Sequence, residues 1–271
     1  MAKRIEDFLV VSDMDGTLLD EEHKVLQRNS EAISRFKAKG GHFTIATGRS
    51  VMSAKPYVEM LKLDIPVIVS NGSMVYDYID NKILFDAFLS LEAEQYVYHL
   101  LDQFPDVGCE SFVGIETYVL QNNPYIVEHT VIENIEFSYA TERNAPHNWS
   151  KAIFADDPEK IERLEAYVYK NGFPDSAVFV KSSPKYFEIL PKGVNKGTGL
   201  IHLAELMNIR MENTAAIGDF YNDAEMVEVA GIGTFAGNAP EDLKKRADLV
   251  VCDYRQGAVA ELLEHIERLC R

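Results

Sequence analysis

The sequence predicts an α/β protein built on a parallel sheet with crossover helices and interrupted by an inserted α/β domain. Three observations carry that reading. Short apolar runs alternate with helical stretches over residues 8–72, each run ends in small or polar residues, and the same alternation returns after residue 190 beyond a stretch of different character.

The first run, Phe8-Leu9-Val10-Val11, has no helical period and suits a short buried strand. Residues two apart on a strand share a face, so Asp13 and Asp15 should sit together at its C-terminal mouth, where Gly16 lets the chain turn. Two close carboxylates repel, and a bound cation, a raised pKa or open solvent is needed to keep both. A solvated strand-to-loop corner has the same composition and stands as the plain alternative. A calcium loop does not fit, because Gly16 comes too early and Lys24 occupies the twelfth position, where the bidentate Glu belongs.

The next helix is expected over Ser30 to Lys39, opened by an Asn29-Ser30 cap and stopped by Gly40-Gly41. The strand Phe43–Thr47 ends in Gly48-Arg49-Ser50, a helix runs from about Ser53 to Leu63, and the strand Pro66–Ser70 ends in Asn71-Gly72. Open α/β sheets bind ligands outside the C-terminal ends of their strands, so the three endings should converge on one crevice. From about Ile83 the pattern changes to short β-like runs and amphipathic pieces, continuing to about Leu190 and containing the only tryptophan, Trp149. This divides the chain into a discontinuous first domain, 1–83 with 191–271, and an insertion, 84–190. Val178–Val180 and Tyr186–Leu190 read as its closing strands, turned by Ser182-Ser183-Pro184. The first pattern resumes with Pro191–Gly199, which places Lys196 at the N-terminal side of a helix whose apolar face is Leu200, Leu203, Ala204 and Met207. The strand Thr214–Ile217 delivers Gly218-Asp219-Phe220-Tyr221-Asn222-Asp223, followed by a helix from Ala224 to Val229. Gly231–Ala236 and Ala247–Val251 are further strands, and Ala258 to Arg271 is a closing amphipathic helix.

Composition narrows the function. With 271 residues, 46% hydrophobic and 26% charged, the chain has the make-up of a soluble globular protein. A net charge of -16 argues against a broad nucleic-acid or anionic-membrane surface, so an anionic substrate must be met locally by a metal, a lysine or backbone amides. The N-terminus lacks the apolar region of a signal peptide, and no stretch approaches the ~20 apolar residues that span a bilayer. Cys109, Cys252 and Cys270 are odd in number and far apart, suggesting neither a disulfide framework nor a zinc site; a reducing cytoplasm is expected. Gly193–Gly199 fails as a nucleotide phosphate loop because Gly follows Lys196, and Gly231-x-Gly233 fails as a dinucleotide fingerprint because Gly237 falls one residue late. The histidines show no metal-ligand spacing, and no Gly-x-Ser-x-Gly elbow is present.

What remains is an ordered set: Asp13-x-Asp15-Gly16-Thr17, then Thr47 after a strand, Lys196 before a helix, and Gly218-Asp219-x-x-Asn222-Asp223. That set resembles the haloacid dehalogenase superfamily, specifically its Cof-like subfamily of sugar-phosphate phosphatases, in which a large α/β cap lies between the second and third motifs. The resemblance covers essentially the whole chain, and Thr47-Gly48-Arg49, Ser70-Asn71-Gly72 and Gly237-Asn238-Ala239 agree with it. It implies a Rossmann-like doubly wound core and a cap that closes over the crevice. It implies Asp13 as nucleophile, Asp15 as acid and base, and Thr47 with the backbone amides after Asp13, Met14 among them, on the phosphoryl oxygens. Lys196 would stabilise the transition state, and one Mg²⁺ would be held by Asp13, the carbonyl of Asp15, Asp219 and Asp223, directly or through water. Gly48, Arg49, Asn71, Gly72 and Asn222 are the expected substrate-binding positions, with Arg49 and Asn71 also explicable as surface charge and turn. A small phosphorylated metabolite is the expected partner. A phosphomutase on the same fold, or a non-catalytic phosphometabolite sensor, is the competing reading.

Overall fold

The computed structural model describes residues 4–140 and 143–270. The chain divides into two compact units, one formed by Met1–Gly48, Ala54–Phe85 and Asn195–Arg271, the other by Arg49–Ser53 and Asp86–Val194. In chain order the elements begin with β1 (Leu9–Ser12), α1 (Gln27–Ala38), β2 (His42–Ile45), α2 (Val51–Leu61), β3 (Val67–Val69), β4 (Met74–Asp77) and β5 (Lys82–Asp86). There follow α3 (Leu91–Gln103), β6 (Gly108–Val113), β7 (Glu116–Gln121), α4 (Pro124–Ile132), β8 (Phe137–Tyr139), β9 (Trp149–Ala155), α5 (Pro158–Asn171), β10 (Ala177–Ser183) and β11 (Tyr186–Pro191). The chain closes with α6 (Lys196–Leu206), β12 (Thr214–Gly218), α7 (Ala224–Val229), β13 (Ile232–Phe235), α8 (Glu241–Lys244), β14 (Leu249–Val250) and α9 (Ala258–Leu269).

The first unit is organised by a five-stranded parallel sheet in the order β14-β13-β12-β1-β2. β1 is an interior strand buried along its whole length, as a run without alternation must be when helices cover both faces. Leu9 and Val11 pack with Leu200, Leu203 and Ala204 of α6 and Met226 of α7, while α1 and α9 pack on one another. The register pairs Ser12 with Ile217, which brings Asp13 and Gly218-Asp219 to the same end of neighbouring strands.

Two local expectations are corrected. α1 starts at Gln27, before Asn29, so Asn29 does not cap it. Asn29 is fully buried, and its Oδ1 accepts from the backbone N–H of Ala260, satisfying an open donor in the first turn of α9 across the helix pair. β3 does not extend the parallel sheet as a full strand: it joins β2 through the single bridge Ala46–Ile68 and pairs antiparallel with β4. The cause lies in Ser70-Asn71-Gly72, whose φ angles of 51°, 55° and 93° are all left-handed and turn the chain back on itself. The last helix ends at Leu269 in the described residues, and Arg271 lies outside them.

The second unit carries its own six-stranded sheet, in the order β10-β11-β9-β6-β7-β8, antiparallel except for β7 with β8. Trp149, Phe154, Phe179 and Phe187 form its core with Val97 and Leu100 of α3 and Leu164 and Val168 of α5. It also buries charge in pairs: Lys151 reaches Glu188 at 2.9 Å, and His129 Nδ1 stands 2.8 Å from Glu110. Among the described residues, no helix is long and apolar enough to cross a membrane.

Candidate active site

The site is assembled at the C-terminal ends of β1 and β12 and the N-terminus of α6. Asp13 follows β1, and its backbone N–H donates to Ile217 O at 2.8 Å, which carries the strand pairing one residue past the sheet. Lys196 is the first residue of α6, held there by a capping box in which Asn195 Oδ1 accepts from Thr198 N at 2.9 Å and Thr198 Oγ1 accepts from Asn195 N at 3.0 Å. From this fixed start the Lys196 side chain, 1% exposed, donates through Nζ to Asp13 Oδ1 at 2.5 Å and to Asp223 Oδ1 at 2.6 Å.

Asp223 closes the loop after β12, its Oδ2 accepting from the backbone N–H groups of Asp219 and Phe220, each at 3.0 Å. Gly218 makes this possible, since a Cβ there would fall 2.3 Å from the Asp223 Cβ. Asp219 is oriented at both oxygens: Thr17 Oγ1 donates to Oδ1 at 2.9 Å and Asn238 Nδ2 donates to Oδ2 at 3.1 Å. Asn238 Nδ2 also donates to the carbonyl of Gly16 at 2.9 Å. Gly16 itself has φ +82°, and a Cβ on it would stand 2.6 Å from Asp219 Oδ2. Asp13, Asp219 and Asp223 thereby bring carboxylate oxygens within 4.8 Å of one another.

Three carboxylates share one ammonium, and the charge balance shows it. Burial and the Asp223 charge push the Asp13 carboxyl well above its usual range, although Lys196 pulls it back. Burial and Asp223 push Asp219 up to about 6. Burial alone would lower the pKa of Lys196, but Asp13 and Asp223 outweigh it and hold the ammonium charged. A compact cation bound by oxygen atoms is the complement of this excess negative charge, and the donor set is the kind that suits Mg²⁺.

The other expected positions fall into four groups. Thr47, Gly48, Asn71, Gly72 and Asn222 are brought together around the α6 N-terminus: Asn71 N donates to Thr47 O at 2.9 Å, and Asn222 Nδ2 donates to Asn71 Oδ1 at 3.3 Å. A Cβ on Gly48 would stand 3.1 Å from Asn71 Oδ1, and one on Gly72 would stand 2.0 Å from the carbonyl oxygen of Asn195, so both glycines permit close packing here. Met14 is different, because the residue is fully buried. Arg49 groups with the second unit and is 7% exposed, so it is no surface charge; its Nη1 donates to Ser53 Oγ at 3.4 Å. Asp15, by contrast, is half-exposed, with Oδ1 3.3 Å from His23 Nδ1. Thr17, Asn238 and His23 were assigned no role from sequence. Thr17 and Asn238 lie in quoted motifs, but nothing in the spacing says that both aim at Asp219, and His23 has no sequence signal.

Comparison with known proteins defines the class. A family model for haloacid dehalogenase-like hydrolases matches residues 10–263, and the chain belongs to that family. It is 30% identical to phosphatase YwpJ of Bacillus subtilis (strain 168), over 95% of this chain and 99% of that one. It is also 30% identical to the 5-amino-6-(5-phospho-D-ribitylamino)uracil phosphatase YcsE of the same organism, over 95% and 94%. The crystal structure of TM0651 from Thermotoga maritima superposes with a TM-score of 0.82 at 26% identity, covering 95% of this chain and 97% of that one. Within the family the chain is a member of the Cof-like group of phosphatases.

Proposed function

We propose that this protein is a Mg²⁺-dependent phosphatase of small phosphorylated metabolites, sugar phosphates foremost, acting through a phosphoaspartate on Asp13. The observation that carries the reading is the buried Lys196 ammonium shared between Asp13 and Asp223. It restrains the attacking carboxylate and sets positive charge where a phosphoryl group would gain negative charge. A ribityl phosphate substrate in the name of one relative supports the substrate class.

In the first half-reaction an Asp13 carboxylate oxygen attacks phosphorus, the P–O ester bond breaks, and the Asp15 carboxylic acid gives its proton to the departing alkoxide. In the second, the Asp15 carboxylate takes a proton from water, whose oxygen attacks the phosphoaspartate and frees Asp13 and inorganic phosphate. Thr47 and the backbone amides from Met14 onward hold the phosphoryl oxygens, and Lys196 stabilises the charge that develops on them. Gly48, Arg49, Asn71, Gly72 and Asn222 contact the substrate. Asp13, Asp219, Asp223 and the carbonyl of Asp15 would hold Mg²⁺, which supplies charge neutralisation between carboxylates and phosphate. In this reading 1–83 and 191–271 are the catalytic core and 84–190 the inserted cap. Three cysteines, odd in number and far apart in the sequence, favour a cytoplasmic setting.

Phosphate release from a panel of sugar phosphates, nucleotides, phosphorylated cofactors and p-nitrophenyl phosphate, with and without Mg²⁺, tests the proposal in wild type and Asp13→Asn. Mg²⁺-dependent turnover that Asp13→Asn abolishes is expected. A folded wild type with no turnover on the panel overturns simple hydrolysis, and bisphosphate-activated transfer between hydroxyls replaces it with a mutase.

A further inference from the structure

The loop that leaves β1 returns to its own start. Asp20 builds the turn: its Oδ1 accepts from the backbone N–H groups of Glu22 and Lys24 at 2.9 Å each, and its carbonyl accepts from His23 N at 3.0 Å. Leu19 forms bridges to both Asp15 and Val25, which doubles the chain back on the catalytic motif. From outside the loop, Tyr254 Oη and Arg255 Nε donate to Glu21 Oε1 at 2.8 and 2.7 Å and anchor it against the residues before α9. The residue this platform presents is His23, in a left-handed conformation with φ +56° that a β-carbon ordinarily disfavours. Its Nδ1 stands 3.3 Å from Asp15 Oδ1, with the two side chains 50% and 46% exposed.

We propose that His23 is a positioning residue for Asp15. The inference rests on the reading of Asp15 as the acid and base. A half-exposed carboxyl rotates among staggered wells, and only one well can place its proton within reach of the leaving oxygen. The His23 imidazole beside Asp15 Oδ1 biases the carboxyl toward one of these wells, the one that presents its proton to the leaving group and later accepts one from water. Asp15 alone gives and takes the proton in this scheme, so the balance of the two half-reactions is unchanged. Locking one rotamer of about three, together with the local field of the N–H dipole, amounts to roughly three- to tenfold in rate.

The leaving group separates this role from a structural one. Phenyl phosphate needs the proton, whereas 2,4-dinitrophenyl phosphate departs without it, and kcat/KM reports only the step up to phosphoryl transfer. His23→Gly, which relieves the left-handed conformation while deleting the imidazole, is expected to lower kcat/KM for phenyl phosphate about three- to tenfold and to leave the dinitrophenyl ester near wild type. His23→Asn tolerates the same backbone and keeps a donor near the Nδ1 position, so it should restore much of the loss. An equal loss on both esters, or no loss on either, overturns the inference. Asp15→Asn serves as the reference: if it shows the gap between esters and His23→Gly does not, the role of His23 alone fails. If Asp15→Asn shows no gap, the acid/base reading falls and the inference with it.

Discussion

Replacing Lys196 by Met tests whether the ammonium or the packing around it keeps three carboxylates together. The substitution preserves the buried stem and removes the charge that Asp13 and Asp223 share at 2.5 and 2.6 Å. Breaking a buried ion pair by deleting one partner ordinarily costs about 3–5 kcal/mol. Here the site has an escape: one more carboxylate can take up a proton. For a carboxyl of ordinary pKa near 4, protonation at pH 7 costs about 4 kcal/mol, since each pH unit is about 1.4 kcal/mol, and at pH 5 it costs about 1.5 kcal/mol. The penalty is therefore capped at about 4 kcal/mol at pH 7 and shrinks on acidification. The sign follows from linkage: the variant's folded state binds more protons than its unfolded state, so its stability falls relative to wild type as pH rises. Urea unfolding in EDTA at pH 5, 6, 7 and 8 measures this, and Mg²⁺ added at pH 7 should recover part of the deficit. A penalty below about 1 kcal/mol at pH 7, or one independent of pH, refutes the argument that charge balance rather than packing governs the site.

Gly16→Ala combines a left-handed φ of +82° with a Cβ 2.6 Å from Asp219 Oδ2, so it should lose at least about 1 kcal/mol of stability in urea titration and weaken Mg²⁺ binding, read by calorimetry, more than Gly193→Ala, whose Cβ meets nothing within 4 Å. Asn29→Ala leaves the Ala260 N–H without its acceptor in a buried helix end, and unfolding should show a cost of about 1–3 kcal/mol with phosphatase turnover of the remaining folded enzyme unchanged. Burial alone would lower the pKa of His129, but Glu110 at 2.8 Å and Glu133 outweigh it and the repulsion from Lys151, so the imidazolium pKa is raised on folding. His129→Gln should therefore be most destabilising relative to wild type below pH ~6.5, and the difference should shrink as pH rises through the folded pKa; a difference that grows toward alkaline pH contradicts the assignment.

Legibility in the sequence followed the range of the contacts. The clustering of Asp13, Lys196, Asp219 and Asp223 was readable because each sits where an apolar run or a helix pattern stops, and the α/β architecture brings strand ends to one edge. The helix from Ala224 to Val229 was readable to the residue. Asn29 was misread because a helix cap and a buried inter-helix ligand use the same residue type, and only the α1–α9 packing distinguishes them. The antiparallel turn of β3 was missed because Ser70 is not a residue that announces a left-handed conformation, so Asn71-Gly72 read as the end of one more parallel strand. Thr17 and Asn238 serve Asp219 across 202 and 19 residues of sequence, and no local period encodes such pairs.

The ion pair between Lys196 and Asp13 joins residues 183 positions apart, with all six strands of the second sheet encoded between them. During synthesis, Asp13 therefore leaves the ribosome long before its counter-charge, its neighbouring strand β12 or the other two carboxylates exist. At about 5–20 residues per second that gap lasts roughly ten to forty seconds. Throughout it β1, largely apolar and buried along its whole length in the finished fold, has one intended neighbour missing, the kind of edge that templates aggregation. The insertion has contiguous strands and its own core, and can collapse within that interval. Nascent chains arrested before residue 214 should then protect the insertion from protease while leaving β1 and α1 open to chaperones, a dependence that moving β12 ahead of the insertion by circular permutation would shorten.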